Sequence, residues 1–266
     1  MPTRASLLLF YSKLQQMLVP GLRNSQWVYK EFLKSESPGV CWLDLGCGHQ
    51  LLPEWMPEWE REQRAILQQS GIVVGIDADY DSLRKHAGLE RKVLGNIQRL
   101  PFKDTCFDLV TANVVVEHVS DPGALLAEVH RVLKPRGLFL FHTPNFWSYG
   151  TLLAAIIPKR IKIRLAGFLQ ARKEEDIFPT FYRMNTRRAL TNLAQRHGFI
   201  VSQLKLTESS AQTVMLGPLV TLELLLIRAL RAGILEKFRT NIIAVFQKRP
   251  APERSDRESA AQLTHA

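Results

Sequence analysis

The chain is poor in cysteine: Cys41, Cys47 and Cys106 are the only three among 266 residues. Their odd number and their spacing fit neither a disulfide framework nor a metal knuckle. A reducing, cytoplasmic compartment is therefore expected, and no metal. Long apolar runs are also missing. The two most apolar segments, around 152–157 and 214–227, stop short of the roughly 18 residues that a membrane span needs. Gly217-Pro218 and Glu223 interrupt the longer one. Near the start, Leu7 to Tyr11 is soon followed by Lys13 and two glutamines. That pattern lacks the apolar length and small-residue cleavage site of a signal peptide. What the chain has in excess is positive charge, with a formal net of +10. Such a balance suggests an anionic partner surface, nucleic acid or membrane, or serves solubility alone. A hydrophobic content of 46% fits a sizeable core in one main domain with appended segments.

A third glycine is the most telling absence. Trp42-Leu43-Asp44-Leu45-Gly46-Cys47-Gly48 is an apolar run ending in an acid, then two glycines one residue apart. About thirty residues on, Val74-Gly75-Ile76-Asp77 repeats the pattern of apolar run and terminal acid. That is how an α/β sheet receives a nucleoside: glycines admit the ligand to the backbone, and the second acid takes ribose hydroxyls. A dinucleotide loop needs a small residue three positions after the second glycine, where a helix N-terminus meets pyrophosphate. Leu51 stands there, so the pyrophosphate version is excluded.

Downstream, four further segments follow in order. They are Asn96 to Phe102, Phe107-Asp108-Leu109-Val110, Glu117-His118-Val119, and Glu128 to Gly137. Together with Asp44-x-Gly46-x-Gly48, the region from about Val40 to Pro144 resembles class I S-adenosylmethionine-dependent methyltransferases, in particular the type 11-like small-molecule group. The resemblance implies a Rossmann-like seven-stranded sheet, mostly parallel with an antiparallel last strand and helices on both faces. It implies S-adenosyl-L-methionine as cofactor. Asp44 would orient its ammonium, Gly46, Cys47 and Gly48 would lie along its methionine portion, and Asp77 would take the ribose diol. Ala78 leaves room for the adenine edge, Ile97 would sandwich the ring, and Asn113 would complete the site from the fourth strand. Asn96 stands where the family usually has Asp, but its carbonyl oxygen can still accept from the adenine amino group. Gln50 replaces a frequent further glycine.

The rest of the chain is read around that core. Residues 1–36 form a helical extension broken at Pro20-Gly21. The methyltransferase-like domain spans 37–250, with insertions at about 145–185 and 207–239, and 251–266 is a disordered tail. Expected strands include Val40 to Leu45, Ile72 to Asp77 buried on both faces, Leu109 to Val116, Leu138 to Phe141, Phe199 to Leu206 and Ile242 to Phe246. A helix over Pro53 to Gln69 would place Trp55 and Trp59 on one face. Asp121 caps a helix begun by Pro122 and closed before Gly137.

Ligands sit at carboxyl ends of strands in open α/β sheets, so Asn113 to His118 and His142 to Asn145 should face the pocket. His118, and after it His142, are the candidate general bases; Tyr149 and Tyr182 lie on the first insertion. Cys47 is read as packing, not as a nucleophile. The leading expectation is methyl transfer to oxygen of a small-molecule or lipid- or sugar-linked acceptor. Apolar stretches flanked by Lys and Arg make an anionic membrane surface, at the inner membrane face, a second candidate partner. An RNA methyltransferase is disfavoured because Asn113-Val114-Val115-Val116 replaces the Asn-Pro-Pro-Tyr-type loop and no RNA-binding module is appended. A non-catalytic, membrane-associated cofactor-binding protein is the third class.

Overall fold

The computed structural model describes residues 4–156, 179–211, 213 and 218–250. Seven strands form one sheet: β1 Cys41–Leu45, β2 Ile72–Asp77, β3 Arg91–Leu94, β4 Phe107–Asn113, β5 Leu133–Pro144, β6 Phe199–Thr207 and β7 Asn241–Lys248. Their spatial order is β3-β2-β1-β4-β5-β7-β6. The first five pair in parallel, and β7 runs antiparallel between β5 and β6. The helices are α1 Arg4–Leu18, α2 Ser25–Glu36, α3 Trp59–Gln69, α4 Tyr80–Lys85, α5 Pro122–Val132, α6 Tyr149–Ile156, α7 Arg187–Arg196 and α8 Leu219–Leu230.

Strand alternation sorts the core into two layers. Trp42, Leu109, Leu140 and Val245 face one side, under Tyr29 and Leu33 of α2 and Ile66 of α3. Leu43, Val110, Phe139 and Phe246 face the other, under Leu125 and Val129 of α5 and Leu190 of α7. Local chemistry sets the helix ends. Asp121 accepts from Gly123 and Ala124 N–H at 2.9 and 3.1 Å, with Pro122 in the first turn. Asn24 caps α2 by accepting the Gln26 N–H at 2.9 Å.

Several boundaries differ from the sequence reading for identifiable reasons. Glu58 takes a left-handed φ of 55° after Pro57, so α3 begins only at Trp59. Trp55 precedes the helix and stays exposed, while Trp59 packs on the core, so the two share no helix face. The helix begun by Pro122 ends at Val132, before Gly137 as expected, but β5 starts at once at Leu133, so Gly137 lies inside the strand. The extension comes from Leu133 pairing with Phe107 before a register shift resumes at Leu109 opposite Leu138. Ile72 sits exposed at the start of β2 instead of being buried on both faces. β4 stops at Asn113, because Val114 adopts φ 60°. Much of the first insertion (157–178) and the tail 251–266 lie outside the described residues.

Topology decides where everything else collects. Because β6 and β5 both oppose β7, they run parallel to each other. The connection leaving β6 therefore emerges at the edge where β1, β2, β4 and β5 also end. The N-terminal helices join it there: Ser25 N–H donates to the Glu208 carbonyl at 3.0 Å, and Asn24 Nδ2 donates to Ser210 Oγ at 3.3 Å. Among the described residues, no helix is long and apolar enough to cross a membrane.

Candidate functional site

The loop after β1 is built from its backbone outward. Gly46 holds φ 60°, and a Cβ there would come within 2.5 Å of Val115 Cγ2. Only glycine combines that conformation with so close a neighbour. Gly48, φ 56°, has open space where a Cβ would point, which leaves room for a ligand. The Gly46 and Cys47 N–H groups donate to the Ile76 carbonyl at 2.8 and 3.3 Å. Gly48 N–H donates to Asp77 Oδ2 at 2.8 Å, and Asp79 N–H to Asp77 Oδ1 at 2.9 Å. These three loop N–H groups are committed to the fold. With these donors turned to the fold, the nearby carboxylate oxygens of Asp44 offer the polarity an ammonium requires.

Asp44 is buried, 4% exposed. Its Oδ1 accepts from Thr111 Oγ1 at 2.6 Å, and that hydroxyl accepts from Trp42 Nε1 at 2.6 Å. The pairing follows from register, since Asp44 lies opposite Thr111 across β1 and β4. Burial, with the nearby Asp77 charge, pushes the Asp44 carboxyl up to about 7 despite the Thr111 bond. A buried acid held so far from its ordinary range lacks a counter-charge. Tyr29, fully buried on α2, sets its phenol beside this pair, and burial and Asp44 raise its pKa. Cys47 packs with Leu83 and Leu89. Burial and the Asp44 and Asp77 charges push its thiol well up, which leaves it unreactive.

The other expected cofactor contacts lie along the same edge. Asp77 is half-buried at the end of β2 and Ala78 is exposed beside it. Asn96 is exposed, its Oδ1 accepting the Gln98 N–H at 2.9 Å. That bond orients the amide and leaves one lone pair on Oδ1 for a ligand. Ile97 packs half-buried on the core. Asn113 is engaged by Gln26 of α2 in a reciprocal amide pair, at 3.1 and 3.0 Å. Its Oδ1 also lies 2.8 Å from His142 Nδ1.

The two histidines part company here. His142 is 2% exposed. Burial pushes it down to about 4, an effect the Asn241 side chain only partly offsets. The ring is closed off from solvent, with its Nδ1 against Asn113. His118 keeps 30% of its side chain exposed. Its Nδ1 lies 2.8 Å from the Pro179 carbonyl. A carbonyl can only accept, so the proton of the neutral ring sits on Nδ1 and the lone pair on Nε2. Glu117 Oε1 is 3.9 Å from Nε2, and Thr143 donates to Glu117 Oε2 at 3.1 Å. The Glu117 carbonyl accepts from Phe181 and Tyr182 N–H at 2.8 and 3.2 Å. Phe146, Trp147 and Phe181, all exposed, stand with Tyr182 around this corner. Tyr149 is drawn away, donating to Glu223 at 2.8 Å.

Sequence reading missed Thr111, Tyr29, Gln26 and Val114. Thr111 left a signal, a lone hydroxyl amid the apolar residues of β4. Val114 left none, since a β-branched residue at positive φ is disfavoured and its run reads as strand. A surface groove of about 600 Å³ between α3 and β3, lined by Trp59, Gln63, Leu67 and Leu89, lies away from these groups. Among the described residues, no His, Cys, Asp and Glu side chains gather in threes as a metal site.

A seven-stranded α/β sheet with paired acids and a positive-φ glycine loop defines a nucleoside-cofactor domain. Comparison with known proteins narrows it: residues 43–141 match the methyltransferase domain model of the type 11 family. Over residues 43–141 the chain is therefore similar to class I S-adenosylmethionine-dependent methyltransferases of that group, and the match implies S-adenosylmethionine as the cofactor of this region. It is 34% identical over 137 residues to an uncharacterized methyltransferase of Schizosaccharomyces pombe, covering 49% of this chain and 47% of that one. It is 35% identical over 107 residues to a malonyl-[acyl-carrier protein] O-methyltransferase of Legionella pneumophila, covering 38% and 35%. The chain thus spans about half or less of the length of these relatives. The crystal structure of an S-adenosylmethionine-dependent methyltransferase from Mesorhizobium loti shares the fold, with a TM-score of 0.52 and 17% identity over 84% of this chain and 97% of that one.

Proposed function

We propose that this chain transfers a methyl group from S-adenosylmethionine to an oxygen of a small-molecule, lipid-linked or sugar-linked acceptor. S-adenosylmethionine supplies a methyl carbon already activated by its sulfonium, so positioning is the largest contribution left to the protein, about 7–11 kcal/mol. Asp44 holds the ammonium, taking the negative charge that burial alone opposes, and Thr111 and Trp42 keep its carboxylate oriented. Asp77 takes the ribose diol with the lone pairs its two backbone bonds leave. Ile97 flanks the adenine, and Asn96 Oδ1 accepts from its amino group. His118 Nε2 removes the acceptor hydroxyl proton as the methyl group arrives, while Phe146, Trp147 and Phe181 offer an apolar rim to the acceptor.

The observation that carries this reading is the His118 ring, turned by the Pro179 carbonyl so that its basic nitrogen is Nε2. Action at oxygen is supported by the O-methyltransferase named among the relatives. The test supplies donor labelled in its methyl group, with metabolite, lipid and RNA fractions from cells lacking this chain. Label entering the lipid or metabolite fraction is expected. His118→Asn should lower kcat about 100- to 10,000-fold while calorimetry shows unchanged S-adenosylmethionine binding. Label entering RNA, or cofactor binding without transfer to any fraction, would overturn the proposal.

A further inference from the structure

The helix α8, Leu219 to Leu230, is apolar on both faces. One face is covered: Val220, Leu224 and Ile227 pack with Tyr11 and Val19 of the N-terminal segment, and Leu14 and Leu18 flank them. The opposite face, Leu219, Leu222, Leu225 and Leu226, is exposed, Leu222 at 65%. Ile234, in the turn that follows, is 90% exposed. A helix apolar all round belongs in a core or in lipid, and apolar patches of this kind mark interaction sites. On the partner helix, Phe10 and Met17 are exposed one heptad apart.

Charge selects the occupant. Residues 10–24 and 218–239 contain six Lys and Arg (Lys13, Arg23, Arg228, Arg231, Lys237 and Arg239) against two acids. Among the described residues, only Arg239 is spent on a nearby acid outside these stretches, Glu208 at 3.3 Å, which leaves five cations. Both acids are engaged: Glu223 is buried and accepts from Tyr149 and Thr213, and Glu236 pairs with Arg187 at 3.4 Å. No exposed, unengaged carboxylate remains in these stretches to repel an anionic surface. We infer that the outer face of α8 docks on an anionic phospholipid bilayer. The helix lies in the interface, because twelve residues, about 18 Å, are too short to cross it.

Docking here would bear on the site, since α8 sits at the same edge of the sheet. Glu223 binds Tyr149, which follows β5, and α1 is joined by residues 19–24 to α2, whose Gln26 holds Asn113. The inference does not rest on methyl transfer, because the apolar face and its cationic flank stand whatever the site does.

The test is flotation of the full chain with vesicles of phosphatidylcholine, alone or mixed with phosphatidylglycerol. The chain should float with the mixed vesicles and far less with phosphatidylcholine alone. The double variant Leu222→Glu, Leu226→Glu should lose at least about tenfold in partitioning with an unchanged melting temperature. Lys13→Gln with Arg228→Gln, which leaves the apolar face intact, should lose about fivefold per charge. Failure of the unaltered chain to float, or undiminished flotation of the leucine variant, overturns the proposal. So does sedimentation velocity in which the leucine variant converts a dimer to a monomer, since a second copy would then be the occupant. Calorimetry with S-adenosylmethionine on the same variants separates these outcomes from failure of the methyl-transfer reading.

Discussion

The two ends of the ligand edge are built on opposite economies of contact. At the β1–β2 end, Asp44, Gly46, Gly48 and Asp77 are over-determined: loop N–H groups, the Thr111–Trp42 relay and Val115 fix each position. At the cap, α8 and the rim around His118 leave leucines and aromatic rings in the open. The first arrangement suits a ligand that never varies and must be held in one pose. The second suits something large, apolar and variable. Substitutions at the first end should therefore be costly in stability and cofactor affinity together. Those on the open cap should cost neither.

The largest effect is expected at Gly46. An added methyl group meets Val115 at 2.5 Å in a backbone conformation of φ 60°. Gly46→Ala should destabilise the chain by about 2 kcal/mol or more and abolish measurable S-adenosylmethionine binding, read by thermal melting and calorimetry. Thr111→Val comes next. It strands the Asp44 carboxyl and the Trp42 indole in the core, at a cost of about 1–3 kcal/mol, and it should weaken cofactor binding in parallel. Loss of stability with intact affinity would show the relay to be structural alone.

The relay also predicts a pH dependence. In the unliganded chain Asp44 titrates near 7, against an ordinary 3.8. The folded chain therefore binds that proton more tightly than the unfolded one, and this group's contribution to stability falls as pH rises from about 4 to 7. His142 and His86 act in the other direction. Both are pushed down to about 4 from 6.5 by burial, so their contribution is lost as pH falls from 6.5 towards 4. Two histidines outweigh one aspartate below pH 6.5, and Asp44 alone titrates just above it. Melting temperature should therefore peak near about pH 6.5. Cofactor affinity should meanwhile rise about tenfold per pH unit below 7, because the ammonium needs the carboxylate. Asp44→Asn should flatten that affinity profile.

How much of this was legible in the sequence follows the same division. Asp44, Gly46, Gly48 and Asp77 could be read because a nucleoside loop imposes residue type at fixed spacing on continuous chain. The seven-stranded plan with its antiparallel last strand was legible only through the family resemblance of the same stretch, and the strand order is visible only in the structure. Gln26 could not be read: it reaches Asn113 across 87 residues of sequence, and no local pattern announces an amide pair. Nor could the end of β4, where Val114 turns against the preference of its side chain so that Val115 can cover Gly46. The difference between His118 and His142 was equally hidden. Both lie at strand ends, and only the packing of α2 shows that one is sealed off.

The smallest expected effect gives the sharpest comparison, because it falls within a single helix. Leu222 and Leu224 are two residues apart on α8, one 65% exposed and the other buried against α1. Leu224→Ala removes packed methyl groups and should cost about 2–5 kcal/mol of stability. Leu222→Ala should stay within about 0.5 kcal/mol, because water already surrounds that side chain. Chemical denaturation of the two variants in the same buffer reads the difference directly. Equal losses would mean that the outer face of α8 is already covered within the chain, and the contrast between a closed cofactor end and an open cap would fail with it.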